Sequence, residues 1–213
     1  MFFSFDGIDG TGKSTQLALL AAHLRRQGWD VVTCRDPGGT VLGERLRDIL
    51  LHKSDLPLGR RAEMFLYMAS RAQLVDEIIR PAVDAGKIVL ADRFLLANVV
   101  YQGHAGGLKV EQLWRVGDVA VDGLQPDVVF VLDMDVAAAV RRMNRAPDRM
   151  ESQGTAFMER VWRGYRDEAA RRPEIILVPA DRDAETVHRE ICDIVASRLG
   201  RGVAERVPSE GEA

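Results

Sequence analysis

The stretch FDGIDGTGKSTQ, Phe5 to Gln16, carries the pattern G-x-x-x-x-G-K-[ST] over Gly7, Ile8, Asp9, Gly10, Thr11, Gly12, Lys13 and Ser14. Glycines let a backbone wrap an anion with successive N–H groups turned inward, and a helix beginning at the end of such a loop adds its positive N-terminal end. In that chemistry Lys13 reaches the β- and γ-phosphates of a nucleoside triphosphate, the Ser14 hydroxyl meets Mg2+, and Thr15 extends the same contact. An apolar run precedes the loop and helical spacing follows it, which is the context the pattern requires. The loop leaves open what receives the phosphate. A small-molecule kinase, a GTPase switch and a partitioning ATPase all share it.

Transfer between two anions needs positive charge around the moving group and little covalent help. Arg93 follows Asp92 at the end of a predicted strand, Arg35 ends another, and Arg47 lies on the helix just beyond. Ligands of open parallel sheets bind outside the carboxyl ends of the strands. One such arginine alone reads sooner as a surface ion pair; several converging at strand ends shift the reading toward a site. Asp92 is the acidic residue placed to sit near a metal. Tyr67 and Arg71 are four apart on a predicted helix and share a face. That face could hold a nucleobase by stacking and edge hydrogen bonds, or carry a half-buried tyrosine beside a solvent-facing arginine. NRAPDRM puts Arg145 and Arg149 in an aperiodic, proline-containing segment, suited to a mobile lid or to an ordinary surface loop. Arg141 and Arg142 read as solvated helix residues. His23, His52, His104 and His188 read as solvated or core residues, Trp29, Trp114 and Trp162 as packing residues, and Cys34 and Cys192 as plain thiols.

The elements that must position these groups follow from periodicity. Strands are predicted at 1–6, 30–35, 87–92, 126–134 and 174–180. Helices are predicted at 14–27, 41–51, 59–85, 94–102, 110–122, 136–145, 157–172 and 185–199. Leu17, Leu20, Ala21 and Leu24 show the i, i+3, i+4, i+7 spacing of an amphipathic helix. Continuous apolar strands alternating with helices imply an α/β chain with a five-stranded parallel sheet and helices on both faces. The 213 residues suit one domain, here 1–199, and the polar, aperiodic 200–213 reads as a disordered tail.

Composition narrows the class. Lys plus Arg number 29 against 32 Asp plus Glu, a net charge of −3, which argues against a general nucleic-acid binder. No apolar run approaches the ~18 residues of a membrane span. Asp6 and Asp9 interrupt the first apolar stretch, which has no basic leader before it. Two distant cysteines and four histidines without ligand spacing predict neither a disulfide framework nor a zinc site, and a reducing, cytoplasmic setting.

Together the motifs resemble the thymidylate kinase family over nearly the whole chain, Phe2 to about Leu199. RDPGGT (Arg35 to Thr40) resembles that family's R-E-P-G-G-T loop, and FLYMASR (Phe65 to Arg71) its aromatic-x-x-x-Arg segment. DRFLLANVVYQG (Asp92 to Gly103) is similar to its D-R…Y-Q-G element, while PDVVFVLD and DRME match a strand and the lid. The resemblance implies a P-loop kinase fold, a lid at about 144–155, and transfer from ATP with Mg2+ to dTMP, giving dTDP and ADP. It implies that Asp9 orients the acceptor side and, with Ser14 and Asp92, the metal. Arg93 and Arg47 then clamp the monophosphate, Tyr67 stacks on thymine, and Arg71 and Asn98 bond the base with Gln102 close by. Tyr101 packs against the deoxyribose, Asp36 lies near the 3′-hydroxyl, and Pro37 lines the same pocket. Lid arginines Arg145 and Arg149, with no arginine in the phosphate loop, resemble the bacterial lid-arginine type, whose members are dimers.

Ala97, Val100, Asp36, Tyr67 and Gly107 depart from the family pattern around the acceptor, not around ATP. A kinase for another nucleoside monophosphate is therefore the nearest alternative. A P-loop switch or ATPase is the next, although the N-K-x-D of GTPases is absent.

Overall fold

The computed structural model describes residues 1–52, 57–143 and 149–200. Five strands, β1 (Phe2–Asp6), β2 (Val31–Arg35), β3 (Ile88–Asp92), β4 (Val128–Asp133) and β5 (Ile175–Pro179), form one sheet in the order β2-β3-β1-β4-β5. Every pairing is parallel. Phe5 aligns with Asp92, and Asp6 with Val131, so the carboxyl ends of the three inner strands lie together. β1, β3 and β4 are buried on both faces, which explains their unbroken apolar sequence.

The helices are α1 (Lys13–Arg26), α2 (Val41–Leu51), α3 (Arg60–Leu74), α4 (Arg80–Asp84), α5 (Leu95–Asn98), α6 (Val110–Val121), α7 (Val136–Arg142), α8 (Thr155–Ala169) and α9 (Ala184–Arg198). Phe3, Phe5 and Leu90 pack under α1, α8 and α9, whereas Phe2, Val89 and Ala91 face α3 and α6. The period-2 alternation of strand side chains thus supplies two cores, one on each side of the sheet. Among the described residues no helix is long and apolar enough to cross a membrane.

Three predicted helices differ in detail. The segment expected to be helical over 59–85 is α3, a π-helical turn at Val75–Ile79, and α4. Pro81 sits in the first turn of α4, and its missing N–H cannot serve an i→i−4 bond, so the ladder widens just before it. The helix expected over 94–102 is α5 followed by a π-helical run, Val99–Ala105. α7 stops at Arg142 rather than at 145. Of the expected lid at 144–155, residues 144–148 and hence Arg145 lie outside the described residues. The remainder is a turn, a 3-10 turn at Glu151–Gln153 and the start of α8. Of the expected tail, 201–213 lies outside the described residues.

Candidate active site

The carboxyl end of the sheet opens into a cleft of about 880 Å³. Its floor at one end is the loop between β1 and α1. Gly10 and Gly12 there have φ of +86° and +95°, a region that side chains strain to reach. A Cβ on Gly10 would lie 2.2 Å from the Ala139 carbonyl oxygen, so the loop sits against α7 with no room for a side chain. Thr11 Oγ1 and Lys13 Nζ both donate to the Ile8 carbonyl at 2.9 Å, and Lys13 Nζ also donates to Asp9 Oδ1 at 3.1 Å. Burial, and then the Arg93 charge, pull the Lys13 pKa below the ordinary lysine value. Ser14 Oγ donates to Asp92 Oδ2 at 2.7 Å, which joins the start of α1 to the end of β3.

Arg93 lies where these pieces meet. Its φ of +67° is unusual for a side-chain-bearing residue and costs about 1–3 kcal/mol. The backbone twist turns the guanidinium back under the phosphate loop. One Nη donates to the Gly7 carbonyl at 2.9 Å and to the Tyr165 hydroxyl at 3.2 Å; the other donates to Asp9 Oδ1 at 2.7 Å. Its Cζ lies 5.2 Å from the Tyr101 ring centroid, within cation–π range. Burial opposes its charge, but Asp9, with Tyr101, Tyr165 and Asp6, holds its pKa well above the usual guanidinium value. Beneath it the Tyr165 hydroxyl donates to Asp6 Oδ1 at 3.4 Å, and burial pushes the Asp6 carboxyl up to about 7 against the attraction of Arg93.

The other end of the cleft is built on α3. Arg71 is almost fully buried, and its Nε donates to Asp36 Oδ2 at 2.6 Å. Its Nη1 donates to Asn98 Oδ1 at 3.2 Å. Asn98 Nδ2 donates to Gln102 Oε1 at 2.6 Å, Gln102 Nε2 donates to Glu63 Oε1 at 2.7 Å, and Arg149 donates to the other Glu63 oxygen. The result is one buried chain of polar groups from the cleft wall to the segment before α8. Asp36 Oδ1, by contrast, has no hydrogen-bond partner among the described residues, although it is buried in the cleft. A buried oxygen left in that state is an unfilled acceptor, and its residue borders the cleft. Arg47 donates to the Pro37 carbonyl at 2.7 Å and borders the cleft with Tyr67, Ala97 and Tyr101.

The structure therefore brings Asp9 to Thr15, Asp36, Pro37, Arg47, Tyr67, Arg71, Asp92, Arg93, Asn98 and Tyr101 to one cleft. Gln102 stands behind Asn98, and Gly7 and Ile8 present carbonyls to Arg93 and Lys13 rather than to the cleft. Arg149 faces α2 and α3: besides Glu63 it donates to the Leu50 carbonyl at 2.6 Å. Arg35, expected at a strand end, pairs with Glu44 at 2.6 Å on the cleft rim. Arg142, the last residue of α7, is exposed as expected, and it also donates to the Ala180 carbonyl at 2.9 Å and borders the phosphate-loop end of the cleft. Sequence reasoning missed Glu63, Arg182 and Tyr165. Glu63 was legible in principle, because Glu63, Tyr67 and Arg71 fall at i, i+4, i+8 on one helix face. Among the described residues seven cationic side chains and three carboxylates border the cleft, the balance suited to polyanionic ligands. The hydroxyl of Ser14 and the carboxylates of Asp92 and Asp9 are hard oxygen donors, which fit Mg2+ and not a soft metal.

Residues 5–191 match the family model for thymidylate kinase. The chain belongs to the thymidylate kinase family. It is 40% identical over 209 residues to a thymidylate kinase of an Exiguobacterium species, covering 97% of this chain and 99% of that one. It is 42% identical over 200 residues to that of Thermosipho melanesiensis, covering 93% and 99%. The crystal structure of thymidylate kinase from Ehrlichia chaffeensis superposes with a TM-score of 0.74 at 30% identity, covering 92% of this chain and 98% of that one. The buried Asp36–Arg71–Asn98 group and the Arg93 junction are thus read within a kinase family.

Proposed function

We propose that this chain transfers the γ-phosphoryl group of ATP to the 5′-phosphate of dTMP, giving dTDP and ADP. The observation that carries the reading is that one cleft has a phosphate loop at one end and the buried Asp36–Arg71–Asn98 wall at the other, with Arg93 between them. A nucleotide switch needs the first end and has no use for the second.

In this reading Gly10, Thr11 and Gly12 offer backbone N–H groups to the ATP phosphates, and Lys13 exchanges its Ile8 and Asp9 contacts for phosphate oxygens. Burial and the Arg93 charge lower the pKa of Lys13, and a bound triphosphate would favour its charged form. Arg93 and Arg47 hold the acceptor phosphate in line with the γ-phosphorus. Arg71 and Asn98 face the edge of the base, Tyr67 stacks on it, Tyr101 crowds the 2′ position, and the orphan Asp36 oxygen accepts the 3′-hydroxyl. The acceptor is already an anion, so no strong general base is required. Ser14, Asp92 and Asp9 would hold Mg2+, which would supply positive charge against the phosphate oxygens. The segment at 144–155 acts as a lid, carrying Arg145 and Arg149 toward the transferring group and excluding water. The working unit is a cytoplasmic homodimer.

Coupled detection of ADP across a panel of monophosphates tests the assignment. Release stimulated most by dTMP supports it. Slow release that no monophosphate stimulates points to a switch or ATPase, and release stimulated most by another monophosphate points to a different kinase.

A further inference from the structure

Away from the cleft, α1 and α9 pack side by side and bring His23, His188 and Cys192 together. One ligand atom from each lies within 4.8 Å of the other two. Cys192 Sγ is 3.5 Å from His188 Nε2 and 3.7 Å from its Nδ1, and the two imidazole rings stand edge to face with centroids 5.7 Å apart. All three residues are half-buried, and Gln27 Nε2 lies 3.1 Å from His23 Nε2. His188 and Cys192 are one turn apart on α9, while His23 comes from the facing helix, so the group closes only because the two helices pack.

We infer that His23, His188 and Cys192 form a site for one borderline-soft divalent d-block ion, Zn2+ in the first instance, with solvent completing four-coordination. Nothing in phosphoryl transfer uses these residues. Their chemistry is also unlike that of the cleft: two imidazoles and a sulfur select Zn2+ or Co2+, whereas the hydroxyl and carboxylates at Ser14 and Asp92 select Mg2+. Bonds of about 2.0–2.3 Å in a tetrahedron place ligand atoms about 3.4–3.6 Å apart. The cysteine–histidine pair already has that separation, and the remaining gap closes by side-chain rotation across the seam. Ligation through sulfur uses the thiolate, so binding releases the Cys192 proton to solvent as the metal–sulfur bond forms.

The location gives the ion a consequence. α1 begins at Lys13 in the phosphate loop, and Val187, next to His188, borders the cleft. Gln16 Nε2 already donates to the Ala184 carbonyl at 2.8 Å across the same seam. An ion ligated from both helices adds a second tie between these two walls and stabilises the fold by binding only the native packing.

Titration of the reduced full chain with Co2+ in Mg2+-free buffer tests the site. The expected result is one equivalent bound, with a thiolate-to-cobalt charge-transfer band in the near ultraviolet that Zn2+ bleaches. The band is lost in Cys192→Ser, and affinity falls by more than about tenfold in His188→Ala and in His23→Ala. Bound Zn2+ raises the Tm of the wild-type chain and not of Cys192→Ser. None of these residues touches the cleft, so each variant keeps its phosphoryl-transfer rate, and that rate reports that it has folded. Absence of the band, or its survival in either histidine variant with unchanged affinity, would overturn the site.

Discussion

Asp6 ends β1 with its carboxyl wholly buried and its pKa raised from an ordinary 3.8 to about 7 by burial, outweighing the pull of Arg93 and Lys13. A carboxyl whose pKa is higher in the folded chain holds its proton more tightly there, so ionising it costs native stability. Below about pH 4 the group is protonated in both states and the cost is absent. The cost grows as pH rises through the window from 3.8 to about 7, then stays constant. At about 1.4 kcal/mol per pKa unit it reaches on the order of 4 kcal/mol above neutrality. Asp6→Asn keeps the shape and an oxygen to accept from the Tyr165 hydroxyl, but has no proton to lose. Urea unfolding of both proteins from about pH 4 to about pH 8 isolates the group. The variant should gain on the wild type steadily across that window, by a few kcal/mol in all, with no further gain above it. Parallel stability profiles, or a wild type that gains on the variant as pH rises, would refute the claim that Asp6 is buried at a net electrostatic cost.

Lys13→Ala should lower kcat by about 10²–10³, as for loss of other preorganised charge donors, with far-UV circular dichroism unchanged; a loss under tenfold by the coupled assay would remove Lys13 from the chemistry. Glu63→Gln discards the charge that holds Arg149 and loosens the Gln102–Asn98 relay behind the acceptor wall. A charge-assisted bond of about 1.5–3 kcal/mol makes the expected fall in kcat/KM for dTMP about tenfold or more, with KM for ATP nearly unchanged; the reverse split would place Glu63 on the donor side. Contact with the thymine 5-methyl group is worth about 1–3 kcal/mol, so dUMP should be phosphorylated with kcat/KM about 10–200-fold below dTMP; equal or better use of dUMP would overturn the thymine assignment.

The fold was legible because each strand is a short apolar run and each helix carries its own period, so all five strands and the parallel arrangement follow from local pattern. The π-helical run Val99–Ala105 was not legible. It depends on α8 packing so closely that a Cβ on Gly164 would lie 2.7 Å from His104 Cβ, a contact between segments 60 residues apart. The candidate site divides the same way. The phosphate loop is contiguous and its residues announce themselves. Arg71 could be placed on a face with Tyr67, but its burial against Asp36 depends on how α3 meets the loop after β2. Arg142 is exposed as its sequence suggests, but its bond to the Ala180 carbonyl could not be read from the sequence, because that partner lies 38 residues away. His188 and Cys192 sit one turn apart in the sequence, yet the third member of their group belongs to α1.

The central claim is that one chain holds a donor and an acceptor nucleotide side by side. Calorimetric titration of dTMP into the chain already saturated with a non-hydrolysable ATP analogue and Mg2+ tests it most directly. One dTMP should bind per chain with the analogue still in place. Displacement of the analogue by dTMP, or no dTMP binding with or without it, would contradict the account.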